Sequence, residues 1–303
     1  MNESVLISPS EFESMLADGG VVPIDTRAPD AYAAGHVAGA VNIHNIFTYL
    51  ATSTPDGVVA MKDKFAETFG AAGLGGDETA VIYEASMDTG FGQSCRGWTL
   101  LTYLGYPKVK ILHGGMAAWT AEGKPVTTEA TVPAPRTFPV DPAASALFVD
   151  LEEMKRAVAD DAVIKLDTRD VDEWVGTSSS PYGPDFCPRK GRIPGARWIE
   201  WYRMMKPTPS GKMLKAKAEI LAECATVGVD ADTPVVLYCF KGARASNTLV
   251  ALKEAGIKDV RLYFGSWNEW SRDPALPIEE GFPAATRTTP EAASPAPMAT
   301  AAE

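Results

Sequence analysis

Histidine and cysteine are scarce in this chain, with three of the one and four of the other among 303 residues. The cysteines stand at 95, 187, 224 and 239 with no CxxC pair, and the histidines are scattered. That spacing excludes a structural zinc site and a disulfide framework. A special cysteine here is therefore catalytic or redox-active, or else it is core. Basic residues are also in deficit, 28 against 39 acidic, for a net charge of -11. Nucleic acid and anionic membranes reward the opposite balance, so neither is expected as a partner. No apolar run approaches the roughly 20 residues needed to span a bilayer. The first residues, Met1-Asn2-Glu3-Ser4, lack a basic segment followed by an apolar stretch. They do not read as a secretory signal, and a cytoplasmic location is expected.

What is present is an internal duplication. Val21-Val22-Pro23-Ile24-Asp25-Thr26-Arg27 returns as Val163-Ile164-Lys165-Leu166-Asp167-Thr168-Arg169. Gly35-His36-Val37-Ala38-Gly39-Ala40 returns as Gly191-Arg192-Ile193-Pro194-Gly195-Ala196, and Val81-Ile82-Tyr83-Glu84 as Val236-Leu237-Tyr238-Cys239. The landmarks keep their order while their offsets change, which locates two insertions. The second half gains a segment around 177–190, and the first gains a longer loop after Glu84. The expected organisation is two homologous domains, 1–124 and 147–282. Between them lies a linker, 125–146, with five prolines and no apolar periodicity. After 282 the residues are mostly Ala, Thr, Pro and Ser, which predicts a disordered tail over 283–303.

Within each half, short apolar runs alternate with helical patterns. Ser8-Pro9-Ser10-Glu11 places a capping Ser, a Pro at the first helical position and a Glu three residues after the cap. Asp150 with Glu153 repeats the device. Residues 235–238 and 260–264 read as buried strands, and 243–255 between them as a helix closed by Gly256. Such alternation implies an α/β fold with a mostly parallel sheet and helices on both faces.

Cys239 ends one of these strands and is followed by Phe240-Lys241-Gly242-Ala243-Arg244 and then a helix. Open α/β sheets hold ligands at that end of the strands. A short turn into a helix points backbone N–H groups at its centre, and the helix dipole adds partial positive charge. Lys241 and Arg244 add full charges, so the loop favours the thiolate, which is the nucleophile. Gly242 allows a turn that a side chain would obstruct. A cysteine ending an apolar strand is usually core, but a core cysteine has no need of two cations within five residues. Cys95, Cys187 and Cys224 lack this setting. Cys224 falls in the helical stretch 218–226 and reads as core, while Cys187 lies in the second-half insertion, which leaves open whether it approaches the site.

From residue 5 to about 280 the sequence resembles the rhodanese superfamily, specifically its tandem-domain sulfurtransferases. The Asp-Thr-Arg strand ends, Gly-His-Val-Ala-Gly-Ala and Gly-Arg-Ile-Pro-Gly-Ala are similar to its N-terminal signature. Gly265-Ser266-Trp267-Asn268-Glu269-Trp270 is similar to its C-terminal signature, with His113-Gly114-Gly115-Met116-Ala117-Ala118-Trp119 as the first-half version. The resemblance implies two rhodanese-like domains, with Cys239 as the persulfide cysteine. Glu84 holds the same position in an inactive first domain, since a carboxylate cannot carry sulfane sulfur.

The implied reaction moves sulfur from a small anionic donor to cyanide or a thiol, without a metal or organic cofactor, in a monomer. Lys241 and Arg244 would hold the donor's anionic end. A lysine two residues after the cysteine resembles thiosulfate-using members, whose loop reads Cys-Arg-Lys-Gly. Mercaptopyruvate-using members, the alternative, carry Cys-Gly-Ser-Gly. Glu173 stands where many members place a substrate-binding arginine. Arg192 replaces the usual signature histidine, and either supplies that missing charge or forms a structural ion pair. Phosphatases and arsenate reductases also use a Cys-to-Arg anion cradle, but place one residue more in it than the four found here. A non-catalytic sensing module is the third class, and the intact Cys239 loop speaks against it.

Overall fold

The central strands are buried on both faces, and successive side chains point to opposite sides, so position along a strand decides which side of the sheet a side chain serves. In the computed structural model, which describes residues 4–141 and 146–282, the first sheet comprises β1 (Leu6–Ile7), β2 (Val21–Asp25), β3 (Val41–Asn42), β4 (Thr79–Tyr83) and β5 (Val109–Leu112). The second comprises β6 (Phe148–Val149), β7 (Ile164–Asp167), β8 (Arg197–Trp198), β11 (Val235–Tyr238) and β12 (Val260–Tyr263), with a separate hairpin of β9 (Met205–Thr208) and β10 (Gly211–Leu214). The strand orders are β1-β5-β4-β2-β3 and β6-β12-β11-β7-β8, matching place for place. Every pairing in the two sheets is parallel. The repeat seen in the sequence is thus a repeat of topology.

The expected caps form. Ser8 accepts the Glu11 N–H and Glu11 reaches back to Ser8, opening α1 (Pro9–Asp18); Asp150 and Glu153 do the same for α7 (Leu151–Ala159). The expected helix after Cys239 is α10 (Ala243–Glu254), whose residues from Ala243 to Leu252 are all buried. A helix buried all round must be covered on both sides. Its second cover is α5 (Gln93–Tyr103) from the first half, packed directly against it.

The result is one continuous apolar core between the sheets, holding Ile82, Leu100 and Leu101 with Leu237, Leu249 and Phe264. Separate clusters line the outer faces, around Phe12 and Trp119 in one half and Trp267 and Trp270 in the other. On β11, Val235 and Leu237 face the shared core while Val236 and Tyr238 face outward. The same alternation carried one step past the strand turns Cys239 toward the domain interface.

The proline-rich segment lies along the first half. Thr127 pairs with His36, and Phe138 is buried between Phe69 and Tyr106. Its other large apolar residues, Val126, Val132 and Val140, stay exposed, so the segment shows no helical or strand period and Phe138 is its buried anchor. Residues 142–145 and the expected tail, 283–303, lie outside the described residues. Among the described residues no helix is long and apolar enough to cross a membrane.

Candidate active site

The Asp-Thr-Arg pieces prove to be anchors. Thr168 donates both its N–H and its hydroxyl to the Tyr238 carbonyl, each at 3.1 Å, and so ties β7 to the end of β11. Asp167 and Arg169 form a fully buried ion pair, and Arg169 donates on to the Gly191 carbonyl at 2.8 Å. The first half repeats this with Asp25, Arg27 and Gly35.

Beyond Tyr238 the chain turns within three residues. The Cys239 carbonyl accepts the Trp267 N–H at 2.9 Å, and the Cys239 Sγ accepts the Gly242 N–H at 3.1 Å. Gly242 caps α10 with φ +89°, a left-handed conformation that a side chain resists. The sulfur therefore sits on the N-terminus of a helix, as the loop sequence predicts, with one amide already aimed at it.

Cys239 opens onto a cavity of about 380 Å³ lined from both halves. Phe240, Lys241, Ala243 and Arg244 come from its own loop; Phe47, Phe91 and Gln93 come from the first half. Lys241 Nζ lies 3.9 Å from the centre of the Phe47 ring and donates to the Tyr182 hydroxyl at 3.2 Å. Burial, helped by repulsion from Arg96 and Arg244, pulls the Lys241 pKa down to about 7. Arg244 is gripped by Glu173, with contacts of 2.5 and 3.0 Å, and by Asp170 at 3.0 Å. Burial disfavours its charge, but Glu173 more than offsets this and raises the Arg244 pKa.

The first half's version of this loop is built around Glu84. Its carboxylate accepts the Gln93 N–H at 2.8 Å and the Ser94 hydroxyl at 2.7 Å. Burial nevertheless pushes its pKa up to about 8.

The family model of the Rhodanese-like domain matches residues 8–122 and 150–273. The chain belongs to the rhodanese family. The Thiosulfate sulfurtransferase of Azotobacter vinelandii is 27% identical over 277 residues, covering 91% of this chain and 97% of that one. The Thiosulfate sulfurtransferase of Pseudomonas aeruginosa is 28% identical over 279 residues, with the same coverage. Among solved structures, the anaerobic ergothioneine biosynthesis enzyme from Chlorobium limicola superposes with a TM-score of 0.76 at 22% identity. That match covers 92% of this chain and 71% of the other, and it speaks for the fold. The family and its relatives support sulfurtransferase activity.

Set within this rhodanese pair of domains, the expected site residues divide. Cys239, Phe240, Lys241, Ala243 and Arg244 line one cavity, with Gly242 shaping the turn beside them. Arg192 does not join them. Its guanidinium pairs with Glu279 at 3.1 Å, donates to the Gly281 carbonyl at 2.8 Å and lies over the Trp174 ring. The antiparallel bridge of Arg192 to Glu279 holds that partner in place, so the geometry there is that of a structural ion pair. Cys187 is buried in the outer core of the second half, away from the cavity lining, and burial pushes its thiol up to about 11. Cys224 is likewise in a core, on α9 (Lys217–Ala225).

Several cavity residues are not evident from the sequence. Thr89 and Phe91 come from the loop after Glu84, and Pro181 and Tyr182 from the 177–190 insertion. The shifting repeat offsets mark both segments, so a signal exists: each insertion adds a wall to the same cavity.

Proposed function

We propose that the chain is a thiosulfate sulfurtransferase that carries sulfane sulfur as a persulfide on Cys239. The observation that supports this best is the setting of the sulfur. It accepts the Gly242 N–H at the N-terminus of α10 and opens onto a cavity with Lys241 and Arg244 in its wall. In the first step the Cys239 thiolate attacks the outer sulfur of thiosulfate. A bond forms between the two sulfurs, the donor's own S–S bond breaks, and sulfite leaves with the electron pair. In the second step cyanide or a thiolate attacks the terminal sulfur of the persulfide, and the electron pair returns to Cys239. In both steps the negative charge that passes through the sulfur faces the Gly242 N–H. The atoms and electrons balance without a metal or organic cofactor.

In this reading the domain over 147–282 is catalytic, the domain over 1–124 has no transfer chemistry of its own, and the protein works as a cytoplasmic monomer. The related Azotobacter and Pseudomonas sulfurtransferases carry thiosulfate in their names, which supports the same donor here. A 3-mercaptopyruvate donor is the second reading, and one feature favours it. Glu173 and Asp170 already engage Arg244, which leaves less free charge for a dianion.

Cyanolysis measured with thiosulfate and mercaptopyruvate side by side decides between the donors. A specificity constant at least about tenfold higher for mercaptopyruvate would reject thiosulfate. Peptide mass spectrometry after thiosulfate treatment should find one added sulfur on Cys239. Sulfur found on Cys95 or Cys187 instead would reject the carrier assignment.

A further inference from the structure

The catalytic half's own cations leave little unpaired positive charge beside Cys239. Arg244 is matched by Glu173 and Asp170, and Lys241, with its pKa near 7, is charged only part of the time at neutral pH. Arg96 is in a different position. It is fully buried on α5 of the first half, where Nη1 and Nη2 donate to the Phe47 and Tyr49 carbonyls at 3.0 and 2.8 Å. Its Nε is buried without a partner. Among the described residues no carboxylate pairs with it. A buried guanidinium without a counter-ion is among the least favourable arrangements a core can hold. Burial draws its pKa down, but only to about 10, so it remains a cation at neutral pH. The acidic groups acting on it are Cys239, Tyr182 and Tyr49. Between a thiol and two phenols, the thiol is ordinarily the first to ionise.

The packing explains how a first-half residue reaches this sulfur. α5 and α10 abut at their N-termini, so closely that a Cβ on Gly92 would overlap the Ala243 carbonyl. The Gly92 carbonyl accepts the Arg96 N–H at 2.9 Å. The Phe264 ring lies 5.2 Å from the Arg96 guanidinium, and a Cβ on Gly242 would meet the same ring at 3.5 Å. Phe47, whose carbonyl holds Arg96, also carries Lys241 over its ring.

We propose that Arg96 supplies the permanent positive charge for the anionic forms of Cys239, so that a residue of the first domain completes the sulfur site of the second. This rests on Cys239 being the sulfur carrier. Arg96 is a positioning residue: it acts through the field at Sγ, and the thiolate or persulfide is the counter-ion that its burial lacks. The other groups facing Cys239 are Lys241 and Arg244 from its own loop and helix, Tyr182 from the second-half insertion, and Asp170 and Glu173 across Arg244. Arg96 is the one among these that neither a carboxylate nor deprotonation near neutrality removes.

The test reads the thiol directly in the full chain, without a sulfur donor. Alkylation of Cys239 by iodoacetamide is followed against pH, with the site confirmed by peptide mass spectrometry, for the wild type, Arg96→Gln and Arg96→Lys. The Gln variant should move the midpoint up by about one unit and slow alkylation several-fold at pH 7, while Lys restores most of the wild-type profile. A folded Gln variant with the wild-type midpoint overturns the proposal. If melting curves show that Gln does not fold, the Lys variant decides. A midpoint within about half a unit of wild type supports a role for charge, and a larger rise overturns it. Failure of Cys239 as sulfur carrier would appear separately, as a persulfide mapped to another cysteine with these alkylation profiles unaffected.

Discussion

The ends of β4 and β11 are the same place in two copies of one fold, and they hold opposite solutions to the same local problem. In each, the carbonyl of the end residue accepts an N–H from the helix after the next strand. Glu84 takes that of Met116 at 2.8 Å, and Cys239 that of Trp267 at 2.9 Å. In each, a helix N-terminus offers unpaired amides. In the first domain the Glu84 carboxyl satisfies those amides itself. The longer loop then closes over it, with Gly90 so near that a Cβ there would overlap the carboxyl group. In the second domain the turn is too short to close, one amide meets the sulfur, and a cavity remains. A duplicated cradle becomes structural when its own chain fills it, and stays available for chemistry when a small soft atom leaves it open.

The largest expected effect tests that contrast outright. Cys239→Ser should abolish persulfide formation and reduce cyanolysis to below about 1% of wild type while the melting temperature is kept. A folded variant that keeps its activity would mean the open cradle is not the site. Next in size, Lys241→Ala should lower the specificity constant for thiosulfate by roughly ten- to 150-fold, the worth of a hydrogen bond to a charged group. Mercaptopyruvate, with a single carboxylate farther from its sulfur, should suffer less, and equal losses would reduce Lys241 to a background charge. With its pKa near 7, Lys241 is protonated below that pH and neutral above it. Wild-type use of thiosulfate should therefore carry a declining component as pH rises through 7, and Lys241→Arg should remove that component from the pH profile.

A smaller effect belongs to the closed cradle. The folded pKa of Glu84, about 8, lies above its ordinary value of 4.5. The folded state thus holds a proton that the unfolded state has released, and this stabilisation is complete below about pH 4.5 and lost as pH rises through 8. Wild-type melting temperatures should fall between pH 5 and 8 more steeply than those of Glu84→Gln. Parallel curves would show that the carboxyl is not neutral in the fold. The smallest change is expected from Cys95→Ser, which should leave turnover within about threefold because it removes no reacting group. A hundredfold loss in a folded protein would give the first domain a thiol role and erase the contrast.

Much of the site's own loop is legible in the sequence. Cys239, Gly242 and the start of α10 are contiguous, and strand, turn and helix-start chemistry are written in neighbouring residues. The capping pairs Ser8–Glu11 and Asp150–Glu153 are legible for the same reason. Arg192 is not, because a signature position says where the backbone goes and not which partner an arginine meets; Glu279 lies 87 residues away. The proline-rich segment has the composition of a linker. Its packing onto the first half through Phe138 depends on gaps that only the assembled core presents.

By itself the sequence determined the duplication, the alternation of strands and helices, and the turn that sets Cys239 on a helix N-terminus. These follow from periods of two and 3.6 residues and from turn chemistry acting over a few positions. Only the tertiary structure decided the charge balance at the sulfur. Glu173 reaches Arg244 across 71 residues, and Arg96 arrives from the other domain. Coulomb interactions depend on distance in space and on exclusion of water, and neither quantity has a local signature in the chain.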